Sequence, residues 1–180
     1  MERLTGRVFT TGMTNSTETR TAPRANPNAA DVLEAVASRS FCTLATSSAT
    51  NRPHVAGVLY AAEDNVLYVS TLRTSRKARN IASNPHVFVC VPVRRLPVGP
   101  PSTVQFAATA EILAPNDPVI VALVERGRLK AVTGHGELEL PDGCFVRITP
   151  AGTFHTYGLG LPLWDLVRDP LDAGGRVVLG

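Results

Sequence analysis

Short, strand-like apolar segments follow one another through the first two thirds of the chain, and most of the links between them are short. Antiparallel neighbours can be joined by a tight turn, whereas parallel strands need a long crossover. The spacing therefore favours an antiparallel sheet, and Glu63-Asp64-Asn65 supplies the turn residues for one hairpin. The segments are FCTLATS (41–47), RPHVAGVLYAAE (52–63), VLYVSTL (66–72), HVFVCVPVR (86–94) and TVQFAATAEIL (103–113).

Helical patterns flank these strands. The segment GCFVRITPAGTFHTYGLG (143–160) adds one or two closing strands, and the tail to Gly180 should wrap another surface. We therefore predict a mostly β protein, a six-stranded antiparallel barrel with flanking helices. The three predicted helices are DVLEAVASR, capped by Asn28 or Asp31; SRKARNIASN (75–84), between the cap Ser75 and Pro85; and a segment from Asp117-Pro118 to about Lys130.

Length and composition indicate one domain with a hydrophobic core, since 44% of the 180 residues are apolar. Residues 1–28 have little apolar periodicity, so we expect a disordered or partner-clasping arm before a single domain over residues 29–180. Cys42, Cys90 and Cys144 form no C-x-x-C pair, which favours reduced thiols and a cytoplasmic protein. No apolar run is long enough to span a membrane, and none at the N-terminus is typical of a signal peptide.

The segment STLRTSRKARNIASNP (70–85) concentrates positive charge where a strand passes into a helix. It holds Arg73, Arg76, Lys77 and Arg79 and no acid, and no acidic residue occurs between Asp64 and Glu111. A helix N-terminus offers unpaired N–H groups and a partial positive charge, so cations there oppose the helix dipole unless an anion is bound. The hydroxyl groups of the segment could add donors; they belong to Ser70, Thr71, Thr74 and Ser75.

Two interpretations of this segment remain open from the residues alone. It binds a phosphate, with Arg as a bidentate partner and Lys as a point charge, or it is a solvated basic helix face. The glycine spacing of a P-loop or dinucleotide fold is missing, which argues against nucleoside triphosphate chemistry. The net charge of +3 is small for a dedicated nucleic-acid protein.

The order of these segments resembles the flavin-binding split barrels related to pyridoxamine 5′-phosphate oxidase. Four segments follow the order and approximate spacing of that family, over roughly residues 30 to 160. They are RPHVAGVLY, VLYVSTL, SRKARNIASNP and VQFAATAEIL. The resemblance implies a split barrel of the FMN-binding type. It also implies a homodimer with the cofactor at the subunit interface.

The family pattern assigns cofactor-binding roles to residues of this chain. Arg76 and Lys77 match the residues that hold the FMN phosphate, with Ser75, Ser70 and Thr71 as hydroxyl or backbone partners. The strand that runs past the flavin ring corresponds to Val55–Tyr60, including Val58, and is implicated mostly through its main chain. Gln105, at the start of the fifth strand, matches a residue that often reaches the ring system.

The C-terminal part departs from the oxidase itself. The Arg-x-His element that the oxidase uses for its vitamin substrate is not found, and FHTYGLGLPLW resembles the flavin/deazaflavin oxidoreductase branch. The resemblance therefore implies an oxidoreductase that uses FMN or, alternatively, the deazaflavin coenzyme F-420 to transfer hydride to or from a small organic substrate. A longer anionic tail on the deazaflavin could use Arg73, Arg79, Arg94 and Arg95, or these residues could be solvated.

No catalytic residue can be assigned from the sequence. The histidines have no metal-ligand spacing, so no metal site is expected. His54, His155, Tyr157 and Trp164 could line a pocket, although packing or exposure is the commoner role of such residues. The alternative function is a non-catalytic flavin or haem binding protein, and a nucleic-acid module is a third possibility.

Overall fold

The computed structural model describes residues 27–94, 102–134 and 136–179. Most of the predicted N-terminal arm therefore lies outside the described residues. The strands are β1 (Phe41–Ser47), β2 (Pro53–Leu59), β3 (Ala61–Glu63), β4 (Val66–Leu72), β5 (His86–Arg94), β6 (Ser102–Leu113), β7 (Gly143–Tyr157) and β8 (Gly174–Val178). The α-helices are α1 (Ala29–Ala37), α2 (Arg76–Ser83), α3 (Pro118–Glu125), α4 (Lys130–Thr133) and α5 (Leu163–Arg168), and the 3-10 turns are Glu137–Glu139 and Pro170–Ala173.

The strands form one antiparallel sheet in the order β2-β1-β5-β6-β7-β4-β3, with β8 added beside β7. β2 and β3 lie at opposite ends of this order, yet only Tyr60 separates them along the chain. The two ends of the sheet must therefore meet at Tyr60, and this curls the sheet into a barrel. The prediction of a mostly β, antiparallel split barrel is confirmed.

The predicted number of six strands is wrong, because the described residues form eight. RPHVAGVLYAAE is divided at Tyr60, where the chain stops pairing with β1 and begins to pair with β4. The tail adds β8 to the sheet beside β7. The helix predicted from residue 117 to about residue 130 is divided into α3 and α4, with Gly127 at a φ of 67° between them.

Two apolar cores lie on the two faces of the sheet. The barrel interior contains Leu44, Phe106, Ile148 and Phe154, all nearly or fully buried. α3 and α4 cover the opposite face near β4 and β7. Since successive strand residues point to opposite faces, Leu67 and Val69 enter the barrel. The residues of the second core are Ala61, Tyr68, Ile120, Leu123, Leu129, Val132 and Phe145.

The junction at Tyr60 is held by two hydrogen bonds. The fully buried hydroxyl donates to the carbonyl of Val36 at 2.6 Å, and the amide of Tyr60 donates to the carbonyl of Ser40 at 2.8 Å. Burial raises the pKa of Tyr60, so this hydroxyl remains a neutral donor. The junction is therefore tied to the end of α1, whose start is fixed by a capping box between Asn28 and Asp31.

The predicted hairpin between β3 and β4 is confirmed. Glu63 pairs with Val66, and the two residues between them have positive φ angles, 49° for Asp64 and 64° for Asn65. Type I′ turns require positive φ at both central positions, and Asp and Asn tolerate it better than most residues.

The three cysteines are free, as predicted, but differ in environment. Cys42 and Cys144 are buried, whereas Cys90 is only partly buried. Burial and then the neighbouring Cys90 raise the pKa of Cys42 to about 12, so its thiol stays protonated near neutral pH. Within the described parts of the chain, no helix has both the length and the apolar character needed to cross a membrane.

We predict that Tyr60→Phe lowers the free energy of unfolding by about 1–3 kcal/mol, because the Val36 carbonyl is left buried without its donor. Urea unfolding monitored by circular dichroism measures this change. Tyr68→Phe is the matched control, since Tyr68 is also buried but its hydroxyl makes no hydrogen bond with a described residue. Equal effects of the two substitutions would contradict the role of the Tyr60 bond.

Candidate functional site

The basic segment forms a tight turn between β4 and α2, and we call residues 73–77 the basic turn. Ser75 is the N-cap of α2, and its hydroxyl accepts a hydrogen bond from the amide of Ala78 at 3.3 Å. The predicted helix and its cap are therefore confirmed. Because Ala78 is capped, the amides of Arg76 and Lys77 are the ones left without an acceptor inside the helix.

The positive charge of the turn is not neutralised within the described structure. The first turn of α2 contains no acidic residue. Arg73, Arg76 and Arg79 are exposed and Lys77 is partly buried, and none forms an ion pair with a described residue. Free N–H groups, a helix dipole and uncompensated cations together favour a bound anion.

Asp142 fixes the position of the turn. The amide of Arg73 donates to the carbonyl of Asp142 at 2.9 Å, and the amide of Thr74 donates to its carboxylate at 3.1 Å. The neighbouring Cys144 is buried, which raises the pKa of its thiol, while Arg73 and Lys77 act in the opposite direction. The turn is thus held by the beginning of β7 and not by the cations themselves.

Ser70 and Thr71 point to opposite faces of β4, although the sequence analysis assigned both to the phosphate site. The Thr71 hydroxyl donates to the Ser75 hydroxyl at 3.3 Å, so it contacts the basic turn. Ser70 shares the face of β4 that holds Tyr68, and its hydroxyl is buried without a partner among the described residues. The two-residue period of a strand already implies opposite directions for adjacent residues, so the sequence contained this signal.

β2 brings its main chain towards the basic turn. It pairs only with β1, so its other edge is unpaired among the described strands and lies against α2 and β4. The side chains of Val58 and Tyr60 are buried in the barrel, whereas Val55 is 61% exposed on the opposite face. The side chains of Val58 and Tyr60 are therefore not available to a ligand outside the barrel.

Gln105 lies away from the basic turn in the same chain. Its strand, β6, is separated from β2 by β1 and β5. Gln105 pairs with His155, whereas β4, which leads into the basic turn, pairs with residues 143–148 of β7, so about 20 Å of β7 lies between Gln105 and β4. Gln105 points to the face opposite the barrel interior, because its neighbours Val104 and Phe106 are buried inside. We call this opposite face, over β2, β1, β5, β6, β7 and β8, the outer face. One chain does not bring Gln105 and the basic turn together.

The remaining candidate residues are scattered. His54 pairs with Thr46 across β1 and β2, and its Nδ1 is buried without a partner in the described structure. Thr46 is buried and accepts a hydrogen bond from Asn80 of α2 at 3.0 Å, so His54 faces the junction of β1, β2 and α2. No pattern in the sequence indicates this polar cluster. Trp164 is 81% exposed on α5, His155 is exposed and Tyr157 is partly buried.

No group of His, Cys, Asp or Glu side chains in the described ranges could hold a metal ion. A cavity of about 330 Å³ lies at the far end of β4, between α1 and the β3–β4 hairpin, with an ion pair at 2.6 Å between Arg128 and Glu63 at its rim. None of its lining residues belongs to the basic turn.

We predict that Ser75→Asp distinguishes the two interpretations of the basic turn, an anion-binding site and a solvated basic helix face. A carboxylate at the N-cap keeps the cap and favours the helix dipole, so the melting temperature without added anion should stay equal or rise. The same charge should repel a phosphate bound at the turn. Differential scanning fluorimetry with inorganic phosphate measures both effects, and equal stabilisation of wild type and variant by phosphate would contradict an anion site.

Comparison with known proteins supports the fold. The sequence model of the pyridoxamine 5′-phosphate oxidase family matches residues 29–157. No curated protein sequence matches the chain. Three similar solved structures are 20% identical to it: the haem storage protein HutZ from Vibrio cholerae (TM-score 0.61; 73% of this chain and 96% of that chain covered), a haem-binding protein from Mycobacterium smegmatis (TM-score 0.62; 74% and 55%) and an FAD-binding protein from Mesorhizobium loti (TM-score 0.56; 71% and 90%).

At this identity the structural likenesses establish the fold alone. The family match is independent of them and covers the barrel from the start of α1 to the end of β7, including the basic turn. The chain therefore belongs to the pyridoxamine 5′-phosphate oxidase family.

Proposed function

We propose that the protein is an oxidoreductase that binds the phosphate of FMN at the basic turn. The observation that carries this proposal is the group of cations without counter-ions around the uncapped amides of Arg76 and Lys77. A phosphate accepts hydrogen bonds from such amides and pairs with both side chains. The deazaflavin coenzyme F-420 also carries a phosphate and is the alternative cofactor.

The protein's own part in the reaction is to bind and orient the cofactor. The Ser75 hydroxyl accepts hydrogen bonds from Thr71 and from the amide of Ala78, and it keeps its own proton to donate beside Arg76 and Lys77. The free edge of β2 offers main-chain N–H and C=O groups for a planar ring lying along it. When bound, the cofactor supplies hydride transfer to or from a small organic substrate.

A homodimer is part of this proposal. Several apolar side chains of the outer face are exposed: Val55 by 61%, Leu59 by 52%, Phe88 by 42% and Val178 by 59%. A twofold axis parallel to the strands, between β1 and β5, would place β6 of one copy over β2 of the other. Gln105 of the second copy would then approach the ring bound along β2, which one chain alone does not achieve.

We predict that Arg76→Ala combined with Lys77→Ala lowers the affinity for FMN at least about a hundredfold, because two charge-assisted contacts are lost. Titration with FMN followed by fluorescence quenching, and then with F-420, measures this affinity and identifies the cofactor. The control is Lys130→Ala combined with Arg168→Ala, two exposed cations elsewhere. A double variant that binds both cofactors as tightly as wild type would remove the phosphate site.

The visible spectrum of the purified protein tests the alternative function. A flavin gives visible absorption that is bleached when a substrate or reductant donates hydride, as the oxidoreductase proposal expects. A Soret band from haem, without flavin binding, would instead favour the haem-binding alternative. Bound flavin that undergoes no turnover with any electron donor would favour a carrier.

We further predict that Phe88→Glu converts a dimer into a monomer, because a charge is placed in the apolar outer face. Sedimentation velocity measures the oligomeric state, and FMN titration of the same sample should show weakened binding. Val121→Glu is the matched control, since Val121 is 40% exposed on α3, away from the outer face. A dimer that survives Phe88→Glu with full FMN affinity would contradict this interface.

A further inference from the structure

Three polar side chains are aligned across β6, β7 and β8 on the outer face. Gln105 pairs directly with His155, and His155 pairs directly with Arg176. Directly paired residues of antiparallel strands point to the same face with Cβ atoms about 5 Å apart. Gln105, His155 and Arg176 therefore form a continuous row, which we call the polar row.

The polar row has unused hydrogen-bonding capacity. His155 and Arg176 are exposed, and neither makes a hydrogen bond or an ion pair with a described residue. The amide nitrogen of Gln105 donates to the Thr103 hydroxyl at 3.2 Å, and it can donate a second hydrogen bond. The row can thus present a guanidinium, an imidazole and an amide to one ligand.

No acid among the described residues forms an ion pair with Arg176. The strands β1, β2, β5, β7 and β8 contain no Asp or Glu, and the one carboxylate of β6, Glu111, forms an ion pair with Arg147. A second copy that covers the outer face contributes the same strands, and these strands add no Asp or Glu other than the paired Glu111. A guanidinium covered without an anion is strongly unfavourable, so the row needs an anion from elsewhere.

We propose that the polar row binds the carboxylate of a small conjugated organic substrate. Arg176 donates two parallel hydrogen bonds to the carboxylate, His155 donates a third, and Gln105 lies at the end of the row nearest the centre of the sheet. This assignment rests on the proposed function, because the outer face of one copy must meet the cofactor bound by the other. It makes Arg176 a specificity-determining residue.

The test uses cinnamate as a conjugated carboxylate and cinnamamide as its uncharged analogue, with the full chain in the presence of FMN. Isothermal titration calorimetry should show cinnamate binding that Arg176→Ala weakens at least about tenfold, while the weaker binding of cinnamamide is unchanged. Arg176→Lys should restore most of the cinnamate affinity because it keeps the charge. Arg52→Ala, at another exposed arginine, should leave it unchanged.

Separate readouts distinguish the possible failures. Cinnamate affinity that is the same in wild type and Arg176→Ala, or no cinnamate binding at all, overturns the proposal. A loss of FMN or F-420 affinity in Arg176→Ala without a change in cinnamate binding assigns the polar row to the cofactor and also overturns the proposal. Dissociation of the dimer in this variant overturns the proposal as well. Failure of the proposed function would appear separately, as wild-type protein that binds neither cofactor.

Discussion

Closure of the sheet at Tyr60 is the constraint on which the other features of the barrel depend. A single residue joins the strands at the two ends of the sheet order, and its hydroxyl is fixed by the Val36 carbonyl. The chain leaves β1 at this point and pairs with β4, so β2 has β1 as its one neighbour among the described strands, and its other edge faces α2 and β4. The main-chain edge and the basic turn thus become neighbours through the same junction that closes the barrel.

The basic turn opposes the stability of its own helix. Cations at the first turn of α2 are unfavourable with the helix dipole, and the first turn itself contains no acid. The turn is nevertheless well defined, because Ser75 caps the helix and Asp142 holds the two residues before the cap. The turn is therefore supported by the Ser75 hydroxyl and by Asp142, and its cations remain available to a bound anion.

Local signals in the sequence were sufficient for several of these features. The Glu63-Asp64-Asn65 turn, the Ser75 cap and the antiparallel sheet follow from turn chemistry, capping and short links, and the structure has them all. The division at Tyr60 and the pairing of β8 could not be predicted this way, because they depend on contacts between distant segments. The same holds for Gln105, whose distance from the basic turn is set by the pairing register along β7 and not by local pattern.

The bulge in β7 keeps the inner and outer faces of the C-terminal half of the barrel in phase. Phe106 pairs with Phe154 and Ala108 pairs with Pro150, so β7 has two more residues than β6 in this interval. An even number keeps Phe154 in the barrel and His155 on the outer face, as on an unbroken strand. In this chain, one further residue that the bulge did not absorb would exchange the two side chains and turn an imidazole into the core.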